Sequence, residues 1–238
     1  MRCCSLSLAV LICALIAPSV QAGVQAGDVH GTVIIEHRLT KRKVTTSADL
    51  YARGTPVQLA KDQQQDPLAF ERTHVVVYLE GNQPSQPIVA ELSQKDRRFT
   101  PDLVVIPAGS SVSFPNLDSI FHNVFSLSST KSFDLGDYPK GHTRVVKFPK
   151  PGIVFVDCHL HSNMSAVIVV TPNRWATKAD ASGHFSLPNI PPGTYTIVAW
   201  HKAAGFFRKT IRVTENGDVN VEFAIPLDSN GLVQEVQR

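Results

Sequence analysis

The stretch Cys158-His159-Leu160-His161-Ser162-Asn163-Met164 places a thiol, two imidazoles and a thioether within one short segment. A thiolate, an imidazole three residues on and a thioether three further are the donors of a copper site of the two-histidine, one-cysteine kind with a long axial methionine. Such a site needs one more nitrogen from elsewhere in the chain. His122, at the end of Pro115-Asn116-Leu117-Asp118-Ser119-Ile120-Phe121 and ahead of Asn123-Val124, fits that need. Taken singly, a cysteine is often a small buried hydrophobe, a methionine a gap filler and a histidine a satisfied polar residue. The spacing at ligand intervals is what favours metal binding.

These side chains need strands to carry them. From residue 88 onward the chain reads as short strands at 88–92, 103–106, 111–115, 122–126, 144–148, 153–157 and 165–171. Turns fall at Pro107-Ala108-Gly109, Pro139-Lys140-Gly141 and Pro149-Lys150-Pro151-Gly152, the pattern of a β-sandwich. The strand 153–157 delivers Cys158 at its end, and His122 opens the strand 122–126, so both can arrive at one end of the sandwich. Phe114, Phe121, Phe125 and Phe155 supply either a dry shell or plain core. Upstream, strands are predicted over 29–35 and 73–79, separated by a polar loop over 38–70 with a short helix near 48–52. Two strands cannot bury their apolar faces alone and need partners further along.

With those residues set out, the segment 88–171 resembles a cupredoxin. Its C-x2-H-x2-M loop is similar to the short loop of amicyanin, and His122-Asn123-Val124 resembles the N-terminal ligand segment of that family. The resemblance implies an all-β Greek-key sandwich or barrel around one copper ion cycling between Cu(I) and Cu(II). By the same resemblance, His122, Cys158 and His161 are equatorial ligands and Met164 the axial one. Asn123 ties the ligand loops together from the second shell, and a redox protein such as a dehydrogenase or cytochrome docks near His161, beside Leu160 and Phe121. The chain departs from amicyanin-like loops at His159-Leu160, where a small hydroxyl residue and a proline are usual. A histidine beside the cysteine leads to a second copper in multicopper oxidases and nitrite reductases, but those need further histidine ligands, and Asp157 stands before Cys158. A binuclear centre would need a second cysteine. His159 is therefore expected to face outward or to sit behind the ligands, and His142, in a turn, to face solvent.

Residues 172–238 resemble a carboxypeptidase regulatory-like, transthyretin-like β-sandwich. Asp180 to Gly183, Pro191-Pro192-Gly193 and Glu215-Asn216-Gly217-Asp218 would be its turns, and 209–213 and 219–225 two of its strands. The Gly-Thr-Val and Val-Val-Val-Tyr-Leu strands that usually open this module stand at 31–33 and 75–79. The expectation is a cupredoxin at 88–171 inserted into a sandwich whose halves are residues 23–87 and 172–238. This module carries no carboxylate pair or zinc motif, so no enzyme activity is expected of it. Trp200 and His201 are expected to pack in its core or edge.

Arg2, the apolar run from Leu6 to Ile16 and the small residues up to Ala22 read as a secretory signal over residues 1–22. No later stretch approaches the ~20 apolar residues that span a bilayer. The expected protein is periplasmic or secreted and not an integral membrane protein. Cys3, Cys4 and Cys13 would leave with the signal, so Cys158 would be the sole thiol in an oxidising compartment, where copper ligation protects it. Lys plus Arg number 23 against 20 Asp plus Glu, and the basic run from Arg38 to Lys43 lacks interleaved aromatics, so no nucleic-acid partner is expected. A site with every position held by protein favours one-electron transfer over catalysis. The rival readings are copper trafficking or tolerance, which commonly uses Met-rich or His-rich segments, and a structural sandwich of the cell envelope.

Overall fold

The computed structural model describes residues 26–40, 66–81, 83 and 85–226. The expected signal peptide and the helix expected near 48–52 lie outside them. The fold is all-β, and the described strands form four stacked sheets. The first holds β1 (Gly27–Ile35) between β14 (His184–Ile190) and β17 (Val219–Ile225). The second runs β13 (Ala176–Lys178), β2 (Val75–Leu79), β15 (Gly193–His201) and β16 (Gly205–Val213). In the third, the order is β6 (Leu103–Pro107), β12 (Ser165–Thr171), β11 (Gly152–Asp157), β8 (His122–Ser126) and β9 (Phe133–Tyr138). The fourth holds β7 (Ser111–Pro115) between β10 (Thr143–Lys147) and β3 (Val89–Glu91), with a small hairpin of β4 (Ser93–Lys95) and β5 (Arg98–Thr100) beside it.

Burial explains why each strand has the sequence it has. On the outer sheets one face is wet, and β1 and β17 alternate buried and open positions. The inner sheets are covered on both faces, so β2 reads Val-Val-Val-Tyr-Leu and β12 is apolar from Ala166 to Val170. Val75, Val77 and Leu79 of β2 pack toward β1 and β17, while Val76 and Tyr78 meet Leu103, Val167 and Val169 of the third sheet. A further core between the third and fourth sheets includes Phe114, Val124, Phe148, Val156 and Ile168, together with Cys158 and Met164. In the first sheet Gly31 is required by close approach: a Cβ there would stand 2.0 Å from the carbonyl oxygen of Val221 and 2.4 Å from the Phe185 ring.

The two outer pairs of sheets therefore meet across a seam. Val198 and Trp200 of β15 complete it from one side. At its edge, His74 Nε2 lies 3.1 and 3.2 Å from the two carboxylate oxygens of Asp102, and His74 Nδ1 lies 2.7 Å from the carbonyl oxygen of Phe70. Both ring nitrogens face acceptors, an arrangement that favours the doubly protonated ring. Burial pushes the His74 pKa down, but Asp102 and the Phe70 carbonyl outweigh it and hold it above its ordinary value.

The strands expected at 111–115, 122–126, 165–171 and 219–225 have those bounds. The strand expected over 73–79 starts at Val75, because the short helix α1 (Ala69–Thr73) occupies the end of what reads as loop. Strands β4, β5, β9 and β13 have no counterpart in the sequence reading. The turn Asp96-Arg97 has no glycine or asparagine to announce it, yet both residues take left-handed φ values of 53° and 54°. In β9, Gly136 and two aspartates mask the alternation.

Candidate metal centre

Two loops at one end of the third sheet carry the candidate ligands. The first, residues 116–121, is folded by Asn116, whose Nδ2 donates to the carbonyls of Ile120 and Tyr138 at 2.9 Å each, while its Oδ1 accepts the Asp118 N–H at 2.9 Å. That turn delivers His122 as the first residue of β8, fully buried. The second loop joins β11 to β12, whose last ladder pair is Asp157 with Ser165. Asp157 also pairs with Phe125 of β8, which brings Cys158 beside Asn123. The Met164 N–H bonds the His161 carbonyl at 3.0 Å and folds this loop back on itself.

The resulting geometry could hold a metal ion. His122 Nδ1 and His161 Nδ1 are 3.2 Å apart, and His161 Nδ1 is 3.8 Å from Cys158 Sγ. One donor atom from each of the three residues lies within 4.8 Å of the others. A first-row ion at about 2.0 Å from nitrogen and 2.3 Å from sulfur in a trigonal plane asks for separations of roughly 3.5 Å between nitrogens and 3.8 Å from nitrogen to sulfur. Two of the three separations lie within a few tenths of an ångström of those values, and the third, from His122 to Cys158, is within 4.8 Å. Their chemistry agrees with the spacing, because one soft sulfur and two imidazoles suit copper.

Asp118 decides which atom of His122 faces the pocket. Its carboxylate lies 2.7 Å from His122 Nε2, so the ring proton sits on Nε2 and the Nδ1 lone pair points at His161 and Cys158. The same carboxylate accepts the N–H groups of Asp96 at 2.7 Å and Arg97 at 2.9 Å, in the β4–β5 turn. Burial raises the Asp118 pKa, but the Arg97 N–H, His122 and the Asp96 N–H together hold it below the usual carboxylate range. The other ligand loop touches this hairpin as well, through Asn163 Nδ2 and the Arg97 carbonyl at 3.5 Å. Sequence reasoning passed over Asp118; the signal available was a carboxylate four residues before a candidate ligand, in a turn closed by an asparagine. Replacing it by alanine frees the His122 ring and is expected to weaken copper binding about 10–100-fold. Competitive titration against a chelator of known affinity measures that loss.

The remaining site residues fall out as follows. Met164 is buried in the same core as Cys158. The Asn123 backbone N–H approaches Cys158 Sγ at 3.5 Å, but its side chain does not tie the two ligand loops, since Nδ2 donates instead to Asp134 of β9 at 2.7 Å. His159 is exposed, stacks on Phe125 with ring centres 3.7 Å apart, and has Nε2 3.6 Å from Asp134. His142 is exposed. Trp200 and His201 are both buried in the second sheet. His201 Nδ1 accepts the Ala203 N–H at 3.2 Å, and burial drives its pKa down against the pull of the Glu71 carboxylate, 3.2 Å from Nε2.

Comparison with known proteins gives partial matches. A family model described as polysaccharide lyase family 4, domain II, matches residues 170–221. No curated protein is similar in sequence. Among solved structures, a Cu-containing nitrite reductase (NirK) from Thermus scotoductus SA-01 is 22% identical over 38% of this chain, with a TM-score of 0.34. The match spans 24% of that enzyme's chain. A purple cupredoxin from Nitrosopumilus maritimus is 21% identical over 34% of this chain and 99% of its own, with a TM-score of 0.32. Amicyanin from Paracoccus versutus is 18% identical over 40% of this chain and 96% of its own, also with a TM-score of 0.32.

Proposed function

We propose that this is an exported copper protein that carries single electrons through one mononuclear site, which His122, Cys158, His161 and Met164 would hold. In this reading residues 88–171 are a cupredoxin inserted into a second sandwich, transthyretin-like, built from residues 23–87 and 172–238. The observation that carries the reading is the convergence of two histidine Nδ1 atoms and the thiol of Cys158 at one end of a sandwich. The protein works in the periplasm or outside the cell.

Bound copper would supply a Cu(I)/Cu(II) couple, and the chain supplies everything that makes the couple usable. Asp118 holds the His122 ring in place, and the Asn123 N–H shares the charge on the sulfur. A pocket fixed by the core between the third and fourth sheets changes little between oxidation states, which favours fast transfer over ligand exchange. Four protein donors leave no position for a substrate. Of these, His161 alone is partly exposed, and its neighbours Leu160 and Phe121 are open to solvent. Its ring is the short route to a redox partner.

The test is an anaerobic redox titration of the copper-loaded protein with a Cu(I)-specific chelator present. An electron carrier gives the same potential in both directions and keeps its metal. Rapid loss of copper to the chelator on reduction supports copper handling instead.

A further inference from the structure

Cys158 is held by a circuit of contacts that one side chain on β9 closes. The Asn123 N–H reaches its sulfur at 3.5 Å, and Asn123 Nδ2 donates to Asp134 Oδ1 at 2.7 Å. The other oxygen of Asp134 lies 3.6 Å from His159 Nε2, and His159 is bonded to Cys158. The His159 ring lies flat on Phe125, with ring centres 3.7 Å apart and planes 3° from parallel. Phe125 in turn faces Asp134 across the β8–β9 ladder and Asp157 across the β8–β11 ladder. Strand β9 therefore holds the thiol-bearing residue from two directions, once through β8 and once through the ligand loop.

Asn123 depends on this hold. The β8–β9 register shifts between Asn123 and Phe125, so the ladder is irregular just where the Asn123 N–H turns to the sulfur. Asn123 is 2% exposed, and its Oδ1 is buried with no hydrogen-bond partner among the described residues. Burying an acceptor in that way is unfavourable, and the bond from Nδ2 to Asp134 is what keeps the side chain in place. Asp134 is itself fixed, because the same Oδ1 accepts the Gly136 N–H at 2.9 Å, and Gly136 takes a φ of 66° that glycine adopts without strain. The Gly136 N–H and the Asn123 amide hold the Asp134 pKa below the usual carboxylate range, which keeps it an acceptor.

From this circuit, and resting on the copper reading above, we infer that Asp134 is a positioning residue of the metal centre: from β9 it holds Asn123 and His159 so that the Asn123 N–H stays on the sulfur of Cys158. An N–H on a thiolate sulfur draws charge from it and favours the reduced ion, and a sulfur already in place meets the metal without reorganising. Asp134 acts through its hydrogen bonds rather than its charge, because its side chain is 58% exposed and its field is screened.

The experiment compares the protein with its variants Asp134→Ala, Asp134→Asn and Asp137→Asn, metal-free and with one equivalent of copper. Asp134→Asn keeps an oxygen that accepts from Asn123 and Gly136 but loses the charge. Asp137→Asn removes an equal charge from an exposed position on the same strand. In the metal-free protein, Asp134→Ala should raise the rate at which iodoacetamide, an uncharged reagent, alkylates Cys158 about tenfold, the effect of one lost charge-assisted hydrogen bond on local opening. Both Asn variants should stay within about twofold of the parent. With copper, Asp134→Ala should weaken binding about 10–100-fold, shift the thiolate-to-copper band and lower the midpoint potential relative to Asp134→Asn. The two Asn variants should keep the parent's band and share one small rise in potential, the mark of a lost negative charge. An aspartate that merely braces β9 would give Asp134→Ala and Asp134→Asn the same potential and the same band, and that result would overturn the inference. An alkylation rate in Asp134→Ala equal to the parent's would overturn it as well. A parent with no reversible copper couple would overturn the carrier reading, and the metal-free rates would still decide whether Asp134 holds the sulfur.

Discussion

Replacing Trp200 by alanine is expected to cost about 3–5 kcal/mol of stability, the range for a large aromatic removed from a packed core. Trp200 is 1% exposed and pairs across β15 with Val76 of β2 and Phe206 of β16. It sits in the apolar seam with Leu103, Val167 and Val169 of the neighbouring sheet. Losing it leaves a cavity between two halves that each keep a core of their own. The effect should therefore appear as lost cooperativity as well as lost stability. In urea, tryptophan fluorescence, which in Trp200→Ala comes from Trp175 in the core of the first two sheets, reports one half, and the thiol reactivity of Cys158 in the metal-free protein reports the other. The parent should give coincident transitions and Trp200→Ala separated ones. A single transition shifted by less than about 1 kcal/mol would mean that the seam does not couple the halves.

The four-sheet stack was legible in the sequence only in outline. Serial short strands and turn residues marked an all-β chain, and strands such as Ser111–Pro115 and His122–Ser126 could be bounded to the residue. The clue to the stacking lay in the contrast between alternating strands such as Val219–Ile225 and unbroken apolar strands such as Val75–Leu79 and the Ala166–Val170 part of β12. Unbroken runs mean cover on both faces, which places β2 and β12 inside and puts a shared core between the two sandwiches. The β4–β5 hairpin was illegible for a different reason. Its second turn residue, Arg97, adopts a left-handed backbone that Arg does not favour, and what satisfies the N–H groups of both turn residues is a carboxylate more than twenty positions away in sequence.

The same division runs through the site. His122, Cys158 and His161 could be chosen because ligand spacing is local within one loop and the missing nitrogen had to open a strand. That they converge depends on two ladder pairings, Asp157 with Phe125 and Asp157 with Ser165, which no local pattern encodes. The Asn123 side chain was placed by resemblance between the ligand loops, whereas here it serves β9. Asp118 was missed because its partners, His122 and the turn Asp96-Arg97, come together only in the folded chain.

The central claim is that a thiolate and two imidazoles hold one copper ion, and Cys158→Ser addresses it with a nearly isosteric change at a site only 5% exposed. A serine hydroxyl is not deprotonated at neutral pH and cannot replace the thiolate, so the remaining donors hold the ion weakly. A His159→Gln variant serves as control, because that ring points out toward Asp134. The measurement is the visible spectrum of the parent and both variants after loading with one equivalent of Cu(II), with Trp fluorescence confirming that each is folded. The account predicts an intense thiolate-to-copper band in the parent and in His159→Gln, and none in Cys158→Ser. A folded parent without that band, or a band that persists without the sulfur of Cys158, would contradict it.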